Sequence, residues 1–280
     1  MVYHSSTSIF HVRRFPLLKT RIALIGYGAL SRIFLNAFEQ HLTEYYELNG
    51  IYSLPMPEGE QPYRFYDSLD QLLADKPDMV VEFAGGGAVR AYGEQILNSG
   101  CSLVIASVGA LADDELYARL RDAARANGCR LHLPSGAIGG FDLLRTLSMA
   151  GTKSVSIESR KPPKGLNGAP YLNGRELSET EEELVFEGTS REAIAAFPKN
   201  VNVAVATALA AADVDTTCVK VRSVPGITRN THTIRACGDF AEVTLQIASI
   251  PDPANPKSST TTAWSVAALL LNLVSPVQFF

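Results

Sequence analysis

Ile22-Ala23-Leu24-Ile25-Gly26-Tyr27-Gly28-Ala29-Leu30-Ser31 reads as an apolar strand that enters a glycine turn and then a helix. Gly26 permits the tight turn out of the strand, and Gly28 has no side chain to keep a pyrophosphate from the N–H groups that open the helix. The third small position of the G-x-G-x-x-G/A pattern is Ser31, where glycine or alanine is usual, so looser packing of the phosphate loop is expected. A glycine turn between strand and helix also occurs in α/β folds that bind no nucleotide. The pattern alone leaves both readings open.

Working outward, Leu30, Ile33, Phe34, Ala37 and Phe38 recur at helical spacing and complete a βα unit. Strand and helix then alternate. A strand fits Glu47 to Leu54, a short helix Ser68 to Ala74, and a mostly apolar buried strand Met79 to Ala84, closed by Gly85-Gly86-Gly87. Helices at Val89 to Asn98 and Asp113 to Asn127 separate the strands Cys101 to Ala106 and Cys129 to Leu133. This alternation predicts a Rossmann-type, doubly wound parallel sheet over residues 20–134, a dinucleotide-binding domain.

After Pro134 the pattern changes. Ser135 to Gly140 precedes a helix through about Ala150, and Ser154 to Ser159 alternates polar and apolar residues. Lys161 to Asn173 reads as a loop, and Arg191 to Phe197 and Val201 to Ala212 as helices. Strands at Val219 to Val224, Thr231 to Ala236 and Phe240 to Ala248 follow, the last two joined at Cys237-Gly238-Asp239. These predict a second α+β domain over 135–257, with a mixed or antiparallel sheet, for catalysis and substrate binding. A last helix within 258–273 returns to the first domain, and residues 1–19 form an N-terminal extension.

The 280 residues, 46% of them hydrophobic, suffice for two cores. A net charge of −4 and an isoelectric point near 5.8 lack the basic footprint of a nucleic-acid binder. The apolar run from Ala263 to Val274 is too short to span a bilayer, so neither nucleic acid nor membrane is an expected partner. Met1 to Thr20 has no continuous apolar segment of the signal-peptide kind. Four cysteines without a C-x-x-C pair read as buried free thiols in a reducing cytoplasm.

A nucleotide-binding front half points to catalytic groups in the back half, with the reaction in the cleft between them. Of five histidines, two fall in the extension and His41 ends the first helix. His132 lies near the end of a strand, either bordering the cofactor or serving structure. His232, in Thr228-Arg229-Asn230-Thr231-His232, leads into a strand and is the better acid–base candidate, though a solvated strand histidine has the same spacing. No G-x-S-x-G elbow and no metal-ligand spacing compete with it. Arg160, Lys161, Lys164, Lys199 and Arg229 are the cations available for an anionic substrate, and Lys199 stands with Asn200 and Asn202 at a helix start.

Taken together, Gly26-Tyr27-Gly28-Ala29-Leu30, Ser107-Val108-Gly109-Ala110-Leu111, Leu133 to Gly140, Ser159-Arg160-Lys161-Pro162-Pro163, Phe197 to Ala204, Thr228 to His232 and Asn255-Pro256-Lys257 resemble the L-aspartate dehydrogenase family in order and spacing. The resemblance covers about residues 20 to 273. It implies an enzyme that uses NAD or NADP to oxidise L-aspartate through iminoaspartate to oxaloacetate and ammonia, or that runs the reverse amination. It implies a homodimer as well. It assigns catalysis to His232 and cofactor contacts to Ala137 and Asn202. The full expected cofactor set adds Gly26, Gly28, Ala29, Leu30, Ser53, Ala84, Gly85, Ser107 and Val108. Lys199 and Arg160 are the candidates for holding the substrate. The second strand ends in Ser53-Leu54-Pro55 with no acidic residue for the ribose hydroxyls, so a 2′-phosphate on Ser53 with Arg64 nearby, and hence NADP, stands open beside NAD. The competing readings are another two-domain reductase of the homoserine dehydrogenase or dihydrodipicolinate reductase type, and a regulatory protein that binds nucleotide without chemistry.

Overall fold

A computed structural model describes residues 19–198, 201–252 and 255–279. The first sheet is built from β1 (Thr20–Ile25), β2 (Tyr46–Tyr52), β3 (Phe65–Tyr66), β4 (Met79–Glu82), β5 (Ser102–Ile105) and β6 (Leu131–His132). All its pairings are parallel, in the order β3-β2-β1-β4-β5-β6. That is the doubly wound nucleotide-binding order, and its direction reverses between β1 and β4. Loops leaving these two central strands therefore lie side by side at the carboxyl edge.

Helices α1 (Ala29–His41), α2 (Leu69–Ala74), α3 (Gly86–Asn98) and α4 (Asp114–Ala126) make the crossovers. The third helix begins three residues before the expected Val89. Gly85, at φ +100°, turns the chain out of β4 and lets Gly86 and Gly87 enter the first helical turn. Ser31 does not loosen the phosphate loop. It is fully buried, and its hydroxyl donates to the Gly28 carbonyl at 2.9 Å, so a small side chain with a local acceptor fits where glycine or alanine is usual.

After Pro134 come α5 (Phe141–Ala150), β7 (Thr152–Lys161), a short α6 (Pro163–Leu166), β8 (Glu183–Thr189), α7 (Ser190–Ala196) and α8 (Asn202–Ala211). They are followed by β9 (Cys218–Ser223), β10 (Asn230–Gly238), β11 (Glu242–Ser249), the short β12 (Pro251–Asp252) and β13 (Asn255–Ser259), and α9 (Thr260–Val274). The second sheet runs β11-β10-β7-β9-β8 and is mixed, with β7 and β9 parallel and the other pairs antiparallel. Strand β8 lies in a stretch with no expected element, and α6 occupies part of the expected loop. The hairpin also shifts: Phe240 is exposed in the turn and β11 starts at Glu242.

One face of this sheet buries Val155, Ile157, Val219, Val221 and Ile234. Helices α5, α7 and α8 lie against it. The other face carries Glu158, Arg160, Lys220 and Arg222 in ion pairs. Helix α9 returns to the first sheet as expected, packing Ala263, Val266, Ala267 and Leu270 among Phe34, Leu35 and Phe38, while the Tyr46 hydroxyl donates to the Leu270 carbonyl at 2.8 Å. All four thiols are free, but only Cys101 is buried; Cys129, Cys218 and Cys237 are half-buried.

Candidate active site

The glycine turn has one backbone solution. Gly26 sits at φ +92°, where a Cβ would come within 2.7 Å of the Ala84 nitrogen, so the β1 and β4 loops touch through glycine alone. At Gly28, the residue that opens α1, a Cβ would meet nothing, and the same holds for Gly85 and Gly87 at the start of α3. Two helix N-termini thus face a cleft of about 1210 Å³ lined by Gly28, Ala29, Leu30, Ala84, Gly85, Ser107 and Asn202. This is the donor-rich, unobstructed surface that a pyrophosphate requires, so the residues present fit a dinucleotide.

Beneath the cleft lies Glu82, fully buried. Its carboxylate accepts from the Gly85 N–H at 2.6 Å, the Ser107 N–H at 2.9 Å and the Ser107 hydroxyl at 2.9 Å, tying the loops after β4 and β5 together. Burial raises its pKa, and these donors pull the other way. Sequence reasoning passed over it; an acid closing the apolar run Met79-Val80-Val81 was the available signal.

Ser53 lies in an adjoining cleft of about 570 Å³ with Gly26, Tyr27, Gly28 and Arg32. Arg64 is not its partner. That guanidinium pairs with Asp75 at 2.5 Å and stacks on Tyr66, and the cation beside Ser53 is instead Arg32, exposed on the first turn of α1 and 4.9 Å from the Tyr27 ring centre.

A smaller cavity of about 110 Å³ shares Leu30, Phe83, Ser107 and Asn202 with the large cleft and adds Val108, Ala137, Lys161, Asn230 and His232. Asn202, the first residue of α8, accepts from the Gly109 N–H at 3.0 Å and joins the two halves of the chain. Ser265 of α9 accepts from the Gly136 N–H at 3.0 Å and holds the loop that carries Ala137.

Antiparallel pairing of β7 and β10 sets His232 opposite Ser159. The Ser159 hydroxyl meets His232 Nδ1 at 2.9 Å, which leaves Nε2 for the cavity. The imidazole is 2% exposed; burial, and then the charge of Lys161, push its pKa down to about 3, so it is neutral at working pH. Burial also lowers Lys161, to about 8.

The structure brings Gly26, Gly28, Ala29, Leu30, Ser53, Ala84, Gly85, Ser107, Val108, Ala137, Asn202 and His232 to this connected set of clefts. Arg160 is not among them. Adjacent residues of a strand point to opposite faces, and Arg160 lies on the far one, bound to Glu182 by two hydrogen bonds of 2.9 and 2.8 Å. Its neighbour Lys161 is the cation on the His232 face. His132, on edge strand β6, lines none of these three clefts. Lys199 and Asn200 lie outside the described residues.

A 3-2-1-4-5-6 sheet with glycine-led helix starts, facing a second sheet that presents a neutral buried histidine, defines an NAD(P)-dependent oxidoreductase. Residues 26–134 match the NAD-binding domain of homoserine dehydrogenase, and residues 142–273 match the C-terminal region of aspartate dehydrogenase. The chain belongs to the L-aspartate dehydrogenase family. It is 42% identical over 216 residues to the L-aspartate dehydrogenase of Methanosarcina mazei, covering 76% of this chain and 79% of that one. With the enzyme of Ruegeria pomeroyi it shares 39% over 256 residues, 90% of this chain and 92% of the other. The crystal structure of aspartate dehydrogenase from Thermotoga maritima superposes with a TM-score of 0.76 at 26% identity, over 94% of this chain and 100% of that one. A hyperthermophilic archaeal homoserine dehydrogenase solved with NADPH, at 13% identity and a TM-score of 0.56, shares the fold alone.

Proposed function

We propose that the protein oxidises L-aspartate at Cα with NAD or NADP, giving iminoaspartate that hydrolyses to oxaloacetate and ammonia, and that the same site runs the reverse amination. In this reading residues 20–134 hold the nucleotide and 135–257 carry the catalytic groups. The observation that carries it is His232, neutral, buried and oriented by Ser159, in a cavity that shares walls with the nucleotide cleft.

A bound nicotinamide supplies the hydride acceptor. The chain supplies orientation and proton transfer. With Nδ1–H donating to Ser159, His232 Nε2 presents a lone pair that takes a proton from the substrate ammonium, or from the water that attacks the imine. Asn202, held to Gly109, and Ala137 form the wall between the two ligands. The glycine-led starts of α1 and α3 hold the pyrophosphate. Ser53 and Arg32 favour a 2′-phosphate, and hence NADP, because no acid stands where the ribose hydroxyls would bind.

A homodimer follows from the family and from the frequency of symmetric pairs, and light scattering that returned a monomer mass would remove it. No helix of the described residues is long and apolar enough to cross a membrane. The four free thiols support a cytoplasmic, reducing setting. Initial rates with L-aspartate, and with oxaloacetate plus ammonia, using each nucleotide, test the activity. Turnover of aspartate is expected. Oxidation of homoserine but not aspartate, or nucleotide binding without turnover of either, would overturn the reading.

A further inference from the structure

Lys161 places an ammonium inside the fold. The residue is 4% exposed and borders the same cavity as His232. Register dictates its position. In the β7–β10 pairing Ser159 faces His232 and Arg160 faces Thr231; Lys161 and Asn230 are the next residues of the two strands, and both line the cavity. Asn230 is 2% exposed and lines the cavity too, and its side-chain carbonyl oxygen Oδ1 is buried with no hydrogen-bond partner among the described residues. A buried acceptor of this kind is uncommon and expensive in a finished fold. A cation and an unsatisfied acceptor therefore meet at the wall of one small cavity, next to the candidate base.

Apart from Lys161 and the neutral His232, the described residues around this cavity have no ionisable side chain. A ligand that satisfies Asn230 carries an N–H donor, and a carboxylate on that ligand suits a cavity wall that holds the buried ammonium of Lys161. We infer that this corner is the amino-acid seat: Lys161 Nζ binds a substrate carboxylate, and Asn230 Oδ1 accepts a hydrogen bond from the substrate amino group. The assignment rests on the aspartate reading of the site. It also links binding to catalysis, because a carboxylate on Lys161 offsets the positive charge that, after burial, holds His232 in its weakly basic state.

Two ligands and two variants test the seat, with binding measured by calorimetry on the nucleotide-loaded protein. L-Aspartate has both groups, whereas succinate has the carboxylates without the amine. Lys161→Met is expected to weaken both ligands by about 30-fold or more, the scale of a lost charge-assisted contact. Asn230→Ala is expected to weaken L-aspartate by about 10-fold while leaving succinate within about twofold. Nucleotide binding by both variants is expected to match the wild type, which excludes a general loss of structure. Where Lys161→Met does not fold, Lys161→Gln removes the charge and keeps a polar head, with the same thresholds. A Lys161 variant that binds aspartate within about threefold of wild type overturns the seat, as does an Asn230 variant that weakens both ligands equally. A wild-type protein that binds succinate through Lys161 but does not oxidise aspartate would retire the activity and leave the carboxylate site standing.

Discussion

The two sheets perform their work with different parts of the chain. In the first, the groups offered to the ligand are backbone N–H donors at the starts of α1 and α3, and what matters at Gly26 and Gly28 is the missing Cβ. In the second, the side chains that line the cavity are Lys161, Asn230 and His232, with Ser159 behind the imidazole, gathered from two strands some seventy positions apart. A backbone site tolerates varied side chains around it, as buried Ser31 shows, but fails at a few points where an atom is added. A side-chain site depends on register, since a slip of one residue turns every group to the other face.

The sharpest separation between the halves is His232→Ala. Turnover of L-aspartate is expected to fall by about 10²- to 10⁴-fold, the usual scale for a lost acid–base group, with nucleotide affinity unchanged in a fluorescence titration. Loss of nucleotide binding in that variant would show that the two halves are not independent. The reciprocal change is Gly26→Val. Its Cβ would press on the Ala84 backbone at a positive φ, so nucleotide affinity is expected to drop by about 100-fold and stability by about 1 to 3 kcal/mol in urea titration. Wild-type affinity would mean that the glycine turn does not hold the nucleotide.

A smaller effect, of unusual sign, is expected at Lys161. In the folded protein its pKa is about 8, against 10.5 for the ordinary side chain. Below pH 8 both folded and unfolded chains carry the proton, and burial makes the charge costlier in the fold than in the unfolded chain. Between about 8 and 10.5 the folded chain has released a proton that the unfolded chain retains, so stability rises with pH. Lys161→Met is therefore expected to stabilise the ligand-free protein by about 1 to 3 kcal/mol at pH 7 while weakening aspartate binding. The gain should vanish towards pH 10.5; thermal unfolding across that range checks it. His232, lowered to about 3, has the same direction at acid pH: stability falls as pH drops from 6.5 towards 3, where the unfolded chain takes up a proton that the folded one refuses.

The least effect is expected from Arg32→Ala, a change on the exposed rim of the nucleotide clefts. NADPH is expected to bind about 10-fold more weakly and NADH equally well. Equal losses for both nucleotides would remove Arg32 from the 2′-phosphate.

Much of the first sheet was legible because its signals are local. Apolar runs bounded by glycine, and the recurrence of Leu30, Phe34, Ala37 and Phe38, report backbone conformation within a few residues. Helix α9 was legible for the same reason. Strand β8 was not: Glu183-Leu184-Val185-Phe186-Glu187-Gly188-Thr189 is a short edge strand with acids inside it, and its pairing with β9 supplies what its own pattern lacks. Glu82 escaped notice because its three donors come from residues 3 and 25 positions away. Arg64 was the expected partner of Ser53, but the ion pair with Asp75 holds it, a contact that nothing local announces.

Arg160 and Lys161 show where a linear reading stops. They are adjacent cations in one strand, and nothing in their neighbourhood says which one faces His232. The chain's own order was enough to establish a glycine-turn nucleotide fold, the class of chemistry through its family motifs, and His232 as the acid–base residue to test. Strand pairing and burial settled the rest. Pairing sends Arg160 to Glu182 and Lys161 to the cavity, and burial keeps His232 neutral, because which face a side chain occupies and how much water it retains are properties of the packed sheet rather than of the residue.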